Sequence, residues 1–195
     1  MPSKDTRTKL LDAAFLEVYT HGYHGAGTAS ILKKAAVPKG SMYHFFNSKK
    51  DLVLSVVQEY VSPKMDEFFD FTPQKDETVF QSFERIFTKM STHELIITHG
   101  CPIHRLLVEM APLDPEFENV LKEIFATFVN RVNTLLQTSV QKGELIAFDT
   151  ETTARFFITS TWGEISLPPS LSSTESFLKN SQLFLRMLNT YKTLN

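Results

Sequence analysis

One cysteine, Cys101, is the whole thiol content of this 195-residue chain. That excludes an internal disulfide and fits a reducing cytosol. Long hydrophobic runs are also missing: no stretch approaches the roughly 20 apolar residues of a membrane span. No charged-then-apolar leader opens the sequence, so neither membrane nor export is expected and the expected place is the cytoplasm. Strand-like alternation is almost absent, and there is no internal repeat or low-complexity tract. No glycine-rich phosphate loop and no inferable Ser-His-Asp arrangement occur, and Cys101 has no evident catalytic base beyond nearby histidines. An enzyme is therefore not expected, and neither is a cofactor.

Net charge is only −2, but it is unevenly spread. Residues 1–50 hold eight bases (Lys4, Arg7, Lys9, Lys33, Lys34, Lys39, Lys49, Lys50) against three acids (Asp5, Asp12, Glu17). The remaining 145 residues hold 12 bases and 19 acids. A basic front on an acidic body suggests a polyanion-binding end joined to a part that does not bind polyanions. A merely solvated basic face is the plainer alternative.

Apolar residues recur at helical spacing nearly throughout. Leu10, Leu11, Ala14, Phe15 and Val18 mark a first helix that Gly22 stops. Ile31, Leu32 and Ala35 mark a second over about 27–35, and a third spans about 38–46. Ser48 and Asp51 form a capping-box pattern before a fourth helix carried by Leu52, Val53, Val56, Val57 and Tyr60, which Pro63 should kink or end. Longer helices follow over about 75–92, 102–111, 114–142, 150–167 and 173–193. Pro73, Pro112–Pro115, Lys142-Gly143-Glu144 and Pro168–Pro169 separate them. The expected fold is all-α: three short helices over 1–50, then a larger helical domain over 51–195. Fourteen of the 17 Phe lie from Phe68 onward, as a core that can also line a pocket.

The stretch VPKGSMYHFFNSKKDL, residues 37–52, carries the most chemistry. On a helical wheel Met42, Phe45 and Phe46 fall on one side, and Lys39, Gly40, Tyr43 and His44 on the other, with Ser41 at the margin. Glycine there costs roughly 1 kcal/mol of helix stability relative to Ala. A missing side chain lets another surface approach the backbone; a tolerated surface glycine is the alternative. Lys39 can neutralise a phosphate, and Tyr43 and His44 can donate hydrogen bonds to phosphate oxygens. Pro38 at the first helical position would leave the other helix-end N–H groups facing outward, favourable for an anion. A short helix, a turn at Ala36-Val37 and a second short helix with a polar outer face make a helix-turn-helix whose second helix enters the major groove. Lys4, Arg7 and Lys9, with Lys49 and Lys50, fit flanking contacts to the DNA backbone.

The run TRTKLLDAAFLEVYTHGYHGAGTASILKKAAVPKGSMYHFFNSKKDLV, residues 6–53, resembles the DNA-binding domain of TetR-family transcriptional regulators. The resemblance rests on Ala13-Ala14 before Phe15, Gly22-Tyr23, the 31–35 helix, Lys39-Gly40-Ser41, Tyr43-His44-Phe45-Phe46 and Ser48-Lys49-Lys50-Asp51-Leu52. Two positions depart from the family. Ala36 stands where a turn Gly is usual, which costs roughly 1–2 kcal/mol if the backbone is left-handed there. Ala26 replaces a common Thr, leaving Thr28 as the substitute cap and phosphate donor. The resemblance implies that Lys39, Gly40, Ser41, Tyr43, His44 and Lys49 contact DNA; Thr28 and Pro38 complete the expected set.

Such regulators bind as two-fold dimers with reading helices about 34–36 Å apart. The resemblance places the dimer interface on the last two long helices. Phe156, Phe157, Ile158, Trp162, Ile165 and Leu167 on one, with Phe177, Leu183, Phe184, Met187 and Leu188 on the other, would supply it; a monomeric core is the alternative. The resemblance implies a three-helix helix-turn-helix DNA-binding domain over 1–50 and a larger helical effector-binding and dimerisation domain over 51–195, whose middle helices hold the site for an unknown small-molecule effector. There HGCPIHRLLVEM, residues 99–110, resembles a Gly-Cys motif in family members that sense electrophiles or oxidants, although His104-Arg105 replace their common Gly-Asn pair. Pro102 fits a first helical position with Cys101 as N-cap, where a thiolate would be stabilised with help from His99, His104 and Arg105. Cys101, His99, His104, Arg105 and Trp162 form the candidate effector or redox set. Cys101 can equally be a small core residue, and a metal role with His93, His99 and His104 matches no established zinc spacing, so no metal is expected. The functional expectation is a DNA-binding transcriptional repressor, released by an effector or by modification of Cys101. A non-enzymatic small-molecule carrier with an incidental basic end is the alternative.

Overall fold

The periodicity resolves into helices almost end to end. The computed structural model describes residues 4–167, 170–171 and 173–193. Their order is α1 Lys4–Gly25, α2 Thr28–Ala35, α3 Lys39–Phe45, α4 Lys49–Ser55, a π-helical turn Val56–Val61, α5 Ser62–Phe68, α6 Val79–Ser91, α7 Glu94–His99, α8 Pro102–Met110, α9 Pro115–Gln141, α10 Thr150–Ile165 and α11 Thr174–Asn189. Among the described residues the only β pairing is an isolated bridge between Leu145 and Lys192, and no helix is long and apolar enough to cross a membrane. The expected joint at Pro168–Pro169 lies outside the described residues, as does the Lys4 side chain.

The helices pack as two compact units. The first contains the chain up to Glu67 together with Pro102–Lys122; the second contains Phe68–Cys101 and Glu123 onward. In the first, α1 buries Leu10, Leu11, Ala14 and Val18, α2 buries Ile31, Leu32 and Ala35, and α4 buries Leu52 and Val53. These are the positions that helical spacing selected. Gly22 breaks α1 as expected, with φ 76° and ψ 173°, but one further turn follows before α2. The Ser48 side chain caps α4 by accepting from Asp51 N–H at 3.0 Å. The Asp51 carboxylate reaches back to the N–H of Asn47, one residue before the cap, so the capping box is only half formed.

Three details differ from expectation for local reasons. Pro38 is the N-cap of α3, with an extended φ of −61° and ψ of 151°, so the helix starts at Lys39. Thr28 is the first helical residue of α2, and Gly27 precedes it as an N-cap with no side-chain bond. Pro63 does not end the fourth helix. A wider π turn precedes it, in which Ser62 N–H donates to the carbonyl of Val57 five residues back, and the helix resumes through a residue that has no N–H to give.

The second unit is built on phenylalanine. Phe83 lies 4.9 Å from Phe157 and 5.0 Å from Phe184, ring centre to ring centre, and Phe71 closes the group edge-on. Such edge and tilted contacts suit the ring quadrupoles and fill the core densely. Thr78 and Gln81 form a full capping box at the start of α6, and the Glu144 carboxylate accepts from Val79 N–H beside it.

Candidate nucleic-acid interface

The α3 helix is amphipathic within two turns. Met42 and the following Phe46 are buried at 0% and 2% exposure, which fixes the helix against its neighbours. Lys39, Gly40 and His44 are exposed, Ser41 is half-buried, and Tyr43 is 56% exposed, unusual for a ring of that size. A Cβ added at Gly40 would meet nothing within 4 Å. Nothing among the described residues therefore requires glycine at this position.

The turn before α3 is made by Ala36, the C-cap of α2, with φ 54° and ψ 42°. The left-handed conformation is thus real at a residue carrying a Cβ, and the turn is strained. Ala36 and Val37 N–H close it by donating to the carbonyls of Lys33 and Leu32 at 3.2 Å each. The α2 helix is tied to α1 by Glu17, which is only 5% exposed and accepts from Ser30 Oγ and from the Lys34 ammonium, both at 2.7 Å. Those two partners hold the Glu17 carboxyl below its ordinary range, with burial opposing them.

Most cations flanking α3 are already engaged. Arg7 donates two parallel bonds to Glu59, at 2.8 and 2.7 Å, and its guanidinium lies 5.2 Å from the centre of the Phe46 ring. Lys9 pairs with Asp5, and Lys50 pairs with Asp114 at 2.7 Å and Glu116 at 3.2 Å. Lys49 is half-buried, with its ammonium 4.5 Å from the centre of the Tyr23 ring, and desolvation lowers its pKa. Lys33 and Lys39 are exposed and form no ion pair among the described residues. Lys33 carries no motif of its own in the sequence; its exposure beside α3 singles it out.

The residues of the expected effector set lie on α7, on the joint between α7 and α8, on α8 and on α10. Cys101 is 1% exposed and Trp162 is buried among Phe125 and Phe128, while His99 ends α7 half-buried. These three belong to the second packing unit, and His104 and Arg105 belong to the first. Arg105 Nη1 donates to the carbonyl of Tyr19 on α1 at 3.0 Å, so its charge serves a helix end. His104 is half-buried, and desolvation lowers its pKa, which favours the uncharged ring. Among the described residues no group of three His, Cys, Asp or Glu side chains is placed to hold a metal ion.

On α10 and α11 the apolar residues divide. Phe157, Ile158, Trp162, Ile165, Phe177, Phe184 and Leu188 are consumed by the core of the unit, whereas Phe156, Leu167, Leu183 and Met187 remain exposed. Phe156, Leu183 and Met187 edge a groove that also takes in Ser160, Glu164 and Asn180. Asn180 Nδ2 donates to the Glu164 carboxylate and so ties the two helices together.

The comparisons with known proteins agree with this geometry. Residues 10–56 match the model for bacterial regulatory proteins of the tetR family, and residues 80–169 match the tetracyclin repressor-like C-terminal domain. The transcriptional regulator AcuR of Cereibacter sphaeroides is 30% identical over 145 residues, covering 71% of this chain and 64% of that one. An uncharacterized HTH-type transcriptional regulator in the lacX 3' region of Lactococcus lactis subsp. lactis is 28% identical over 131 residues, covering 66% and 67%. The matched stretches thus span about two thirds of the length of these relatives. A crystal structure of regulatory protein TetR from Rhodobacter sphaeroides superposes with a TM-score of 0.80 at 26% identity, over 92% of this chain and 96% of that one. With its helix-turn-helix and C-terminal models both matched, the chain belongs to the TetR family of DNA-binding transcriptional regulators.

Proposed function

We propose that the chain is a repressor that binds operator DNA as a homodimer through α10 and α11 and is released by a small-molecule effector. Residues 1–50 read DNA and residues 51–195 bind the effector and the partner, in the cytoplasm where its DNA lies. The observation that carries the reading is the α3 face: fixed from behind by Met42 and Phe46, open in front, with empty space above Gly40. Lys39, Ser41, Tyr43 and His44 border that space, and Thr28, Pro38 and Lys49 flank it. Lys49 reaches a phosphate only by leaving the Tyr23 ring, a contact of about 0.5–1 kcal/mol at a partly exposed site. The dimer reading is supported by the exposed Phe156, Leu183 and Met187, which gather on one groove.

Release through Cys101 requires the thiol to be uncovered first, since it is 1% exposed. An effector taken up by the helical domain is therefore the favoured route. The test is a titration of the full chain with duplexes it has itself selected from a random pool, at two salt concentrations, alongside sedimentation. A dimer whose affinity for the selected duplex falls steeply with salt supports the reading. Failure to enrich any duplex would return the carrier alternative.

A further inference from the structure

In a continuous helix the N–H of Tyr23 would donate to the carbonyl of Tyr19, four residues earlier. The break at Gly22 opens that bond, and α8 supplies a partner to each half. Tyr23 N–H donates to Glu109 Oε2 at 2.8 Å, and the neighbouring His24 N–H donates to Glu109 Oε1 at 2.9 Å. The Tyr19 carbonyl accepts from Arg105 Nη1 at 3.0 Å. Arg105 and Glu109 are four residues apart, on one face of α8, so their spacing matches the gap they bridge. Their signs also match: a cation at the C-terminal end of the first helical segment, an anion at the N-terminal end of the turn that follows. Gly22 makes room, because a Cβ there would stand 2.8 Å from Glu109 Oε2.

We propose that Arg105 and Glu109 are positioning residues for DNA binding: they set the angle at which α1 hands over to the helix-turn-helix. Residues 22–27 carry the chain from the break in α1 to α2, and Ala26 N–H closes the restarted turn on the Gly22 carbonyl at 3.1 Å. Two reading helices must match two half-sites together, so an error in this angle is felt by operator binding. Sequence-independent binding depends on the number of cations and not on their exact bearing.

Glu109→Gln tests this in the full chain. The shape is kept, but an NH2 group now faces one of the two backbone N–H donors. Affinity is measured for a duplex selected by the wild-type protein from a random pool and for a scrambled duplex of equal length. Glu118→Gln serves as the control, the same charge change at an exposed position on α9. The expected result is a roughly tenfold or greater loss for the selected duplex, the size of one charge-assisted hydrogen bond, with the scrambled duplex within about twofold. Equal behaviour of the two variants overturns the proposal. So does a parallel loss on both duplexes that follows the loss of melting temperature, which marks a purely structural role. If Glu109→Gln does not fold, Arg105→Lys is read on the same two duplexes. It keeps one donor for the Tyr19 carbonyl, and an unchanged ratio of affinities overturns the proposal equally.

Discussion

Glu17 accepts a 2.7 Å hydrogen bond from Ser30 Oγ, joining a buried carboxylate on α1 to the first turn of α2. Lys34 adds an ion pair at the same distance, though its own side chain is 41% exposed and its share is screened. Glu17→Ala should cost about 1–3 kcal/mol, mostly from the Ser30 bond and the lost packing. The folded-state pKa of Glu17 is depressed, so its contribution is complete above the ordinary glutamate range and disappears as pH falls through the depressed value. Urea midpoints of wild type and Glu17→Gln, followed from neutral to acid pH, should therefore converge on acidification. A gap that widened would contradict the assignment.

Ala36 offers the opposite case, a residue whose replacement should stabilise. Its φ of 54° costs Ala roughly 1–2 kcal/mol that Gly would not incur, less the extra freedom Gly has when unfolded. Ala36→Gly is expected to raise the unfolding free energy by about 0.5–1 kcal/mol and leave operator affinity within about twofold. A lower urea midpoint would mean that Ala36 makes a contact worth more than the strain.

Gly40→Leu separates helix stability from DNA contact. Glycine is about 1 kcal/mol worse than Ala in a helix interior, and the space above Gly40 is empty, so the variant should melt at or above the wild-type temperature. It should nevertheless lose operator binding, because the added side chain occupies the room the groove wall needs. Normal binding by this variant would show that Gly40 is a tolerated surface glycine.

Lys33 and Lys39, the exposed lysines of α2 and α3 with no ion pair among the described residues, make a quantitative prediction. Lys39→Met should reduce the slope of log affinity against log salt by about 0.9 per head, and Lys33→Met should behave alike if it also meets a phosphate. Arg7→Met should change the slope less, since Arg7 is held by two bonds to Glu59 and must leave them first. Equal slopes for Arg7→Met and Lys39→Met would mean that the ion pair opens freely on DNA.

The helix-turn-helix was legible because its signals are local. Gly22 as a stop, Ser48 as a cap and the two-sided pattern from Lys39 to Phe46 all act within a few residues, and each is found where spacing places it. What was not legible depends on distant partners. Arg105 reads as help for Cys101 because they are neighbours in sequence, yet it bonds to Tyr19, 86 positions away. Arg7 and Lys50 read only as flanking contacts to the DNA backbone, because Glu59, Asp114 and Glu116, with which they pair, lie far along the chain. The π turn is hidden for another reason: Val56, Val57 and Val61 fit an α-helical stripe almost as well, and only Pro63 hints at the extra residue. The same limit applies to α10 and α11, where spacing marks eleven apolar residues but cannot divide core from surface.

That division yields the last prediction. Leu183 and Met187 are four residues apart on α11, both are exposed, and both edge the groove that Phe156 shares. If this face meets its copy across a two-fold axis, each substitution enters the interface twice. Leu183→Glu with Met187→Glu would then place four carboxylates together in a desolvated patch, whereas on a free surface the same changes would cost little. The double variant should sediment as the 22.2 kDa chain at micromolar concentration while keeping its helical circular dichroism. Its operator affinity should fall by roughly 100-fold or more, because the second reading head no longer benefits from the binding of the first. A variant that stayed dimeric would place the interface on another face, and the groove between α10 and α11 would need a different occupant.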